Sequence, residues 1–310
     1  MMMEDEKYMR RCIQLAKNGQ QNARPNPMVG AVIVSADGRI IGEGYHVRCG
    51  EGHAEVNAFA SVSQEDEALL PGATMYVSLE PCSHYGKTPP CADLIIKKRI
   101  RRVVVGCIDE FAEVQGRGIQ KLRDAGIAVE VGVLEAECQE LNRRFFTFHR
   151  EHRPYIILKW AQTANGFIDD HFLPTQISSD FTKMLSHKLR AEEDAILVGR
   201  VTDERDHPQL NVREWHGPDP KRLVIDHQHP LNLSSLHAHR IQSLIIEGGA
   251  QTLNTFIDKG LWDELRVETN LSMTVTDGTR APRIPAEAKA KECRKYDDSL
   301  IVSYRRLKEN

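Results

Sequence analysis

Three residues of the chain could together hold a catalytic metal ion. His53, Cys82 and Cys91 offer one imidazole nitrogen and two thiolate sulfurs. Such a set of three is typical of a catalytic zinc ion that keeps its fourth position open for water, whose pKa it lowers to about 7. Glu55 lies two residues after His53 in "GHAEVNA" and is not needed as a ligand. We therefore predict a zinc-assisted hydrolysis in which Glu55 carries protons.

The order of these residues along the chain indicates the type of reaction. The pattern H-x-E, followed by P-C and a second Cys, is typical of zinc nucleobase deaminases, in which hydroxide attacks the carbon that bears the amino group and the Glu passes protons to the departing ammonia. A structural zinc site is the first alternative, and its fourth ligand would be Cys49, Cys107 or His84. Glu55 argues against that alternative, because a structural site has no use for an unliganded carboxylate beside the metal.

A second alternative is an RNA-binding or tRNA-editing protein. The stretch "KKRIRR" at 97–102 would supply its basic patch. The formal net charge of the chain is −3, no aromatic residues accompany the patch, and helix ends favour Lys and Arg without any ligand. We therefore expect no nucleic-acid partner.

The bulk composition predicts a two-domain globular protein. The 310 residues suffice for two cores, and 41% are hydrophobic against 27% charged. Neither a signal peptide nor a run of membrane-spanning length is apparent, which predicts a cytoplasmic protein with no membrane partner. Seven Cys, an odd number, make a poor disulfide framework and favour reduced thiols or metal ligands.

The periodicity of the first half predicts the elements that position the metal ligands. An amphipathic helix over 4–19 is followed by two strands joined at the Asp37–Gly38 turn, and a further helix begins at His53. Strands and helices then alternate through "TMYVSLE", "CADLIIKKRI", "RVVVGCID", "GIQKLRDAG" and "IAVEVGV", with one more helix over about 134–148. This order predicts a three-layer α/β domain with a largely parallel sheet. Both cysteines then lie near the start of the helix at Cys91, where the helix dipole favours thiolate.

A polar stretch containing Pro154 suggests a domain boundary near residue 150, and hence domains over 1–150 and 151–310. The second half again alternates, with strands in "YIILKWAQT", "DAILVG" and "RLVID", and with "SLIIEGGAQTLNTFIDKG" as strand, glycine turn and helix. It is predicted to be another α/β domain. No G-x-G-x-x-G fingerprint is present, so a Rossmann domain is not indicated.

The spacing of the two cysteines indicates a particular family. Two residues separate them in ordinary cytidine and tRNA adenosine deaminases, whereas eight separate Cys82 from Cys91 in "CSHYGKTPPC". With "NPMVGAVIV" and "GYHVRCGEGHAEVNA" upstream, the chain resembles the bifunctional deaminase-reductases of riboflavin biosynthesis. The resemblance implies deamination of 2,5-diamino-6-ribosylamino-4(3H)-pyrimidinone 5′-phosphate, then NADPH reduction of its ribosyl group to ribityl.

The resemblance also implies site residues in the first domain. His53, Cys82 and Cys91 fall on the zinc ligands and Glu55 on the proton shuttle. Four further residues fall on substrate-binding positions, namely Asn26, His46, Lys87 and Asp109. The family continues D-P-N-P at the last of these positions, where this chain reads "DEFAEV". The implied fold is a three-layer α/β/α cytidine-deaminase-like domain followed by a dihydrofolate-reductase-like α/β domain.

In the second domain, "LKWAQTANGFID", "HKLRAEEDAILVG", "DHPQLNVR" and "IIEGGAQTLNTFIDKGLWDEL" carry the resemblance. The implied substrate contacts are Arg190, Leu210, Arg213 and Glu247. The implied NADPH contacts are Thr202, Asp206, Gly248 and Gly249. Paired guanidinium groups suit a ribose phosphate, and glycines at a helix start let the backbone approach a cofactor phosphate.

Three departures from the family distinguish the second domain. Asn165 in "ANG" replaces an Asp, and "QIS" at 176–178 replaces W-I-T. Only "HQHPLNLSSLHAHR" remains between residues 226 and 241, where the family has a longer segment. A deaminase whose shortened second domain is inactive or serves only assembly is therefore a further alternative. The histidines at 227, 229, 237 and 239 are expected to face solvent rather than a metal. The family implies a homodimer or larger assembly.

Overall fold

The protein divides into two compact units, Met1–Glu151 and His152–Asn310. A computed structural model describes residues 2–85, 89–109, 115–226, 228 and 230–306. Within those ranges, no helix combines the length and the apolar character that crossing a bilayer requires. Each unit has a sheet of its own, of five strands in the first and seven in the second.

The first unit is a sheet covered by helices on both faces. Its helices are α1 (Met2–Ala16), α2 (Ala54–Ala60), α3 (Cys91–Lys97), α4 (Arg117–Asp124), α5 (Glu135–Leu141) and α6 (Arg143–Glu151). Its strands are β1 (Gly30–Val34), β2 (Ile40–Tyr45), β3 (Thr74–Leu79), β4 (Arg102–Cys107) and β5 (Ala128–Val131). The three-layer arrangement predicted from the alternation of strands and helices is confirmed.

The sheet of the first unit is mixed rather than largely parallel. Its strand order is β2-β1-β3-β4-β5. The pairs β3–β4 and β4–β5 are parallel, but β1 runs antiparallel to both β2 and β3. The Asp37–Gly38 turn explains the β1–β2 pair, because a tight hairpin can join only antiparallel strands, and Gly38 adopts the positive φ of 85° that such a turn requires.

Two apolar clusters hold the layers together, one on each face of the sheet. Ile33 and Met75 belong to one cluster, and their neighbours Val32 and Tyr76 belong to the other. This alternation follows from the period of two along a strand. Full burial of one such side chain contributes about 1.5–3 kcal/mol, so the central strands are the rigid part of the unit. The segments that leave β3 and β4 at their carboxyl ends start from this rigid edge.

A single predicted helix over about 134–148 is in fact two helices, α5 and α6, which meet at Asn142. Asn142 is buried, with φ of −107° and ψ of 23°. Its side-chain amide donates to the carbonyl of Met28 at 2.8 Å and accepts from the Met28 N–H, also at 2.8 Å. The break therefore orients an amide that fixes the segment carrying Asn26.

We expect Asn142→Leu to destabilise the first unit by about 2–4 kcal/mol, because it leaves the two backbone groups of Met28 without their partner. The shape of the side chain is nearly conserved, so packing alone should change little. The free energy of unfolding from urea titration measures the effect, with exposed Asn18→Leu as the matched control. Equal stability of the two variants would contradict this role for the amide.

The second unit contains a seven-stranded sheet of order β11-β12-β10-β6-β9-β7-β8. Its strands are β6 (Tyr155–Thr163), β7 (Ala195–Gly199), β8 (Lys221–Ile225), β9 (Ser243–Glu247), β10 (Glu264–Asn270), β11 (Ala288–Tyr296) and β12 (Ser299–Arg306). Its helices are α7 (Asp180–Glu192), α8 (Arg200–Asp206), α9 (Leu233–Ala238) and α10 (Ala250–Asp258). The five strands from β10 to β8 are parallel, and β12 and β11 are added antiparallel at one edge.

The sequence analysis assigned no element to β10, β11 or β12. Seven of the nine residues of β11 are exposed, so this strand lacks the apolar alternation by which strands are predicted. The parallel strands place the segments that follow β6, β7, β9 and β10 at one edge of the sheet. Ligand sites of open parallel sheets form at that carboxyl edge.

Candidate active sites

The three predicted metal ligands of the first unit lie together. The ligand atoms of His53, Cys82 and Cys91 are all within 4.8 Å of one another. The Nδ1 atom of His53 is 3.5 Å from Cys82 Sγ and 3.3 Å from Cys91 Sγ. Atoms bound tetrahedrally to one zinc ion at about 2.0 Å for nitrogen and 2.3 Å for sulfur would be about 3.5 Å apart. The residues therefore fit a zinc ion with one coordination position left for water.

Three separate elements deliver these ligands. His53 is the residue immediately before α2, Cys82 follows β3, and Cys91 is the first residue of α3. Helix α2 lies directly against β2 because Gly42 and Gly44 have no side chain, and a Cβ at Gly44 would collide with the backbone of Ala54 and Ala58. The close packing of α2 against β2 at these glycines therefore fixes the position of His53 relative to the sheet.

Backbone N–H groups at the start of α3 contact Cys82. The backbone N–H of Cys91 donates to Cys82 Sγ at 3.3 Å, and the N–H of Ala92 donates to the Cys82 carbonyl at 3.1 Å. Hydrogen bonding from the Cys91 thiol, together with that from His53, lowers the pKa of Cys82 to about 4 despite burial. A deprotonated sulfur is what zinc requires as a ligand.

Glu55 occupies the first turn of α2 and is 3% exposed. It is not a member of the group of three ligands. Burial, together with the nearby Cys82, raises the pKa of its carboxyl group to about 7. A carboxyl group in such an environment can both accept and release a proton at neutral pH.

The structure brings two predicted substrate contacts, Asn26 and His46, to the same place. His46 is buried, and its ring packs edge-on against His53 with the centroids 5.3 Å apart. Its Nδ1–H donates to the Gly52 carbonyl at 3.2 Å, which leaves Nε2 to accept from the Asn26 amide at 3.1 Å. Burial lowers the pKa of His46, so the neutral ring presents one defined tautomer.

Asn57 also holds this arrangement, although the sequence analysis did not single it out. Its side-chain amide donates to the carbonyls of Tyr45 and Gly52 at 2.8 and 3.1 Å. Tyr45 immediately precedes His46, and Gly52 immediately precedes His53. A second polar residue beside Glu55 on a helix that is otherwise apolar was the available signal.

Lys87 and Asp109 are the two remaining predicted substrate contacts of the first unit. Lys87 lies outside the described residues. Asp109 is buried two residues after β4, and its N–H donates to the carboxylate of Glu80 at 3.3 Å. Glu80 was missed in the sequence, where it appears only as the residue before Pro81.

In the second unit, two predicted substrate contacts form an ion pair. Arg190 on α7 donates to Glu247 at the end of β9, with Nη2 2.7 Å from Oε2. Lys159 on β6 lies 4.0 Å from the same carboxylate. Although burial opposes ionisation, these two cations keep the pKa of Glu247 below its ordinary value. Two cations around one carboxylate leave a positive excess that suits a phosphate or hydroxyl-rich ligand.

Lys159 was not a predicted site residue, although a lysine in the apolar run "YIILKWAQT" was a visible signal. Leu210 and Arg213 lie on either side of residues 211–212. This segment contacts the Arg190–Glu247–Lys159 cluster, because Arg190 Nη1 donates to the Asn211 carbonyl at 3.4 Å. The N–H of Arg213 donates to Nδ1 of the buried His187 at 3.2 Å. The Arg213 side chain is exposed, and its Nη1 donates to Asn211 Oδ1 at 2.9 Å.

Thr202, Gly248 and Gly249 also come together. The N–H of Gly249, the residue before α10, donates to the Thr202 hydroxyl at 3.0 Å. A Cβ at Gly248 or Gly249 would meet protein atoms only at 3.5 Å, and neither residue has a positive φ. Neither crowding by protein nor backbone conformation explains these glycines, and the space beside their backbone is open. Asp206 ends α8 and pairs with Arg205 at 2.6 Å.

The first departure from the family has a structural counterpart. Asn165 donates from its amide to the Val275 carbonyl at 2.7 Å and accepts from the Val275 N–H at 3.3 Å. An aspartate would place a carboxylate oxygen against that carbonyl.

In the His-rich segment, His227 and His229 lie outside the described residues, while His237 packs edge-on against His152 with the ring centroids 5.2 Å apart.

Fold and site together define a class of protein. A three-layer α/β unit that presents one histidine and two cysteines beside a buried glutamate is the arrangement of zinc-dependent nucleobase deaminases. The described residues of this chain continue into a second α/β unit with a cation-rich cluster at its carboxyl edge.

Comparison with known proteins identifies the family. A model of the cytidine and deoxycytidylate deaminase zinc-binding region matches residues 2–107, and a model of the RibD C-terminal domain matches residues 154–234. The riboflavin biosynthesis protein RibD of Aquifex aeolicus is 34% identical over 97% of this chain and 98% of its own length. The chain therefore belongs to the RibD family of riboflavin biosynthesis enzymes, which join a deaminase to a reductase.

Solved structures agree with this assignment. A diaminohydroxyphosphoribosylaminopyrimidine deaminase/5-amino-6-(5-phosphoribosylamino)uracil reductase of Thermotoga maritima is 32% identical, with a TM-score of 0.89 over 99% of each chain. Acinetobacter baumannii RibD is 29% identical, with a TM-score of 0.87 over 99% of this chain and 100% of that one. The predicted fold class is confirmed.

The alignment with the Aquifex aeolicus protein also bears on chain length. It spans 355 positions, whereas this chain has 310 residues. The relative therefore carries residues within the matched range that this chain lacks. The segment between β8 and β9, where α9 is the one helix among the described residues, is where the sequence analysis expects the shortening.

Proposed function

We propose that the first unit deaminates 2,5-diamino-6-ribosylamino-4(3H)-pyrimidinone 5′-phosphate and that the second unit then reduces the ribosyl group of the product to ribityl with NADPH. The observation that carries the first step is the closeness of His53, Cys82 and Cys91 to one another, beside a buried carboxylate that is not in their group. The named activity of the Thermotoga maritima relative supports the choice of substrate.

In the first step, His53, Cys82 and Cys91 would hold the zinc ion. Zinc in such a site supplies a Lewis acid that makes water nucleophilic at neutral pH. Glu55 takes a proton from the attacking water and delivers it to the amino group, which leaves as ammonia. Glu55 is suited to this because its burial keeps it from solvent.

Asn26 and His46 would orient the substrate ring. The Asn26 amide and the neutral His46 ring are joined at 3.1 Å beside His53, so both offer hydrogen-bonding groups next to the metal ligands. Lys87 would pair with the phosphate, a role that rests on the family resemblance. Because the hydrogen bonds of His46 define its tautomer, the site is already organised before substrate binds.

In the second step, the Arg190–Glu247–Lys159 cluster would bind the ribosyl phosphate part of the substrate, together with Leu210 and Arg213. Thr202, Asp206, Gly248 and Gly249 would hold the cofactor, and the open turn at the two glycines is the observation that supports this. NADPH supplies a hydride when bound. We further propose a cytoplasmic location and a homo-oligomer, both carried over from the family resemblance.

The test is to follow ammonia release and NADPH oxidation separately with the purified, zinc-loaded protein and the diaminopyrimidine phosphate. We expect ammonia release without NADPH, and NADPH oxidation only after deamination has occurred. Arg190→Lys should impair NADPH oxidation alone, because the bidentate contact with Glu247 is lost, and exposed Arg294→Lys is the matched control. Ammonia release without any NADPH oxidation would contradict the second activity, and no ammonia release would contradict the proposed substrate.

A further inference from the structure

Glu80 is a buried acidic residue of the first unit that is neither a metal ligand nor a predicted substrate contact. It is 4% exposed. Its Oε1 accepts from the N–H groups of Gly118 and Ile119 at 2.9 and 3.4 Å. Its Oε2 accepts from the N–H groups of Gly116 and Asp109 at 2.9 and 3.3 Å. Four backbone donors from one stretch of chain thus converge on a single carboxylate.

Glu80 lies in the chain between the end of β3 and the predicted metal ligand Cys82. It directly follows β3 and stands two residues before the metal ligand Cys82, and its own N–H donates to the Cys107 carbonyl at 3.0 Å. The donors at 116, 118 and 119 belong to the start of α4, whose first N–H groups have no partner within the helix. A carboxylate at that end also complements the helix dipole. Glu80 therefore links the segment that bears Cys82 to α4.

The contact at Gly118 gives independent evidence for the link. A Cβ at this position would collide with the Pro81 carbonyl, so only glycine lets the first turn of α4 lie directly against the turn that bears Cys82. Gly118 is buried and does not have a positive φ, so the close approach, rather than backbone conformation, accounts for the glycine. The two segments are thus in contact both through a side chain and through their backbones.

We infer that Glu80 is a positioning residue for the deaminase substrate: it fixes Asp109 and the start of α4 relative to Cys82, and thereby sets substrate affinity rather than metal binding. The inference rests on the proposed function, in which Asp109 contacts the substrate. Asp109 and Cys82 follow different strands, and the Glu80 carboxylate joins their two segments directly. A carboxylate suits this place because it accepts hydrogen bonds at both oxygens, whereas an amide accepts at one.

The test is Glu80→Gln, which keeps the shape but turns an NH₂ group toward one pair of donors. We expect KM for the diaminopyrimidine phosphate to rise at least 10-fold, with kcat within 3-fold of wild type and with unchanged zinc content. The reductase activity of the second unit should be unaffected, and the retained kcat and zinc content show that the first unit is folded. Exposed Glu65→Gln is the matched control and should match wild type in every measurement.

A double-mutant cycle tests whether Glu80 acts through Asp109. In an Asp109→Ala background, Glu80→Gln should raise KM by less than 2-fold, because residues that act as a unit are not additive. Gly118→Ala keeps the carboxylate but separates the two backbones, and it should also raise KM with unchanged zinc content. This second variant keeps the test decisive if Glu80→Gln does not fold.

Several outcomes would overturn the inference: a Glu80→Gln variant with unchanged KM, a loss of zinc in proportion to the loss of activity, or additive effects with Asp109→Ala. An inactive wild-type protein would instead count against the proposed function. The two failures are therefore distinguishable, since only the inference on Glu80 is at risk when the wild-type protein is active.

Discussion

Glu55→Gln is expected to lower kcat for ammonia release by about 10²–10⁴-fold, the usual contribution of a positioned general acid–base group. Glutamine has nearly the same shape and fills the same buried place, but it cannot take a proton from water and pass it to the leaving amine. Because Glu55 is outside the group of three ligands, zinc content should not change. Ammonia release under saturating substrate and metal analysis of the same sample measure both quantities.

The control for this prediction is Glu51→Gln, an exposed glutamate four residues earlier in the chain, which should retain full activity. NADPH oxidation by Glu55→Gln, measured with already deaminated substrate, should equal that of wild type, because it takes place in the second unit. A variant that releases ammonia at more than one tenth of the wild-type rate would refute the shuttle role. Loss of zinc from the variant would instead assign Glu55 to the metal site.

Cys91→Ser is expected to lower ammonia release at least 10³-fold and to abolish stoichiometric zinc binding. Serine replaces a thiolate that a zinc ion favours with a hydroxyl group that stays protonated at neutral pH. The backbone N–H of Cys91, which donates to the Cys82 sulfur, is kept in this variant, so the change removes a ligand atom and not that hydrogen bond. Metal titration and ammonia release together measure the loss.

Metal removal from the wild-type protein gives the companion result. Dialysis against a chelator should stop ammonia release, and added Zn²⁺ should restore it, whereas Cys91→Ser should not recover at equimolar Zn²⁺. The matched control is Cys293→Ser, since Cys293 is an exposed free cysteine of the second unit. Full ammonia release by metal-free wild type would exclude zinc from this reaction.

The grouping of His53, Cys82 and Cys91 near Glu55 could be predicted because the evidence for it is local. The pattern H-x-E places two residues at the start of one helix, and Cys82 and Cys91 are only nine positions apart in the sequence. The Asp37–Gly38 hairpin was predictable for the same reason, since a two-residue turn determines how its own strands pair. The family resemblance added the residues that no local pattern marks, such as Asn26 and Arg190.

Other features depended on contacts between distant parts of the chain. The break between α5 and α6 follows from a pair of hydrogen bonds between Asn142 and Met28, which lie 114 positions apart. The edge strand β11 is almost wholly exposed, so no apolar periodicity predicts it, and only pairing with β12 defines it. Local propensity does not contain this information, because it arises when the chain is packed.

The sequence by itself predicted the candidate chemistry of this protein: a His/Cys/Cys group that suits zinc, a carboxylate beside it, and two α/β domains that alternate strand and helix. The tertiary structure alone decided which further polar residues contact the candidate groups or their segments, among them Glu80, Asn57 and Lys159. The reason is physical. A side chain's capacity to ligate or to transfer protons belongs to the residue itself, whereas its role as a support depends on which distant backbone groups folding brings within hydrogen-bond distance.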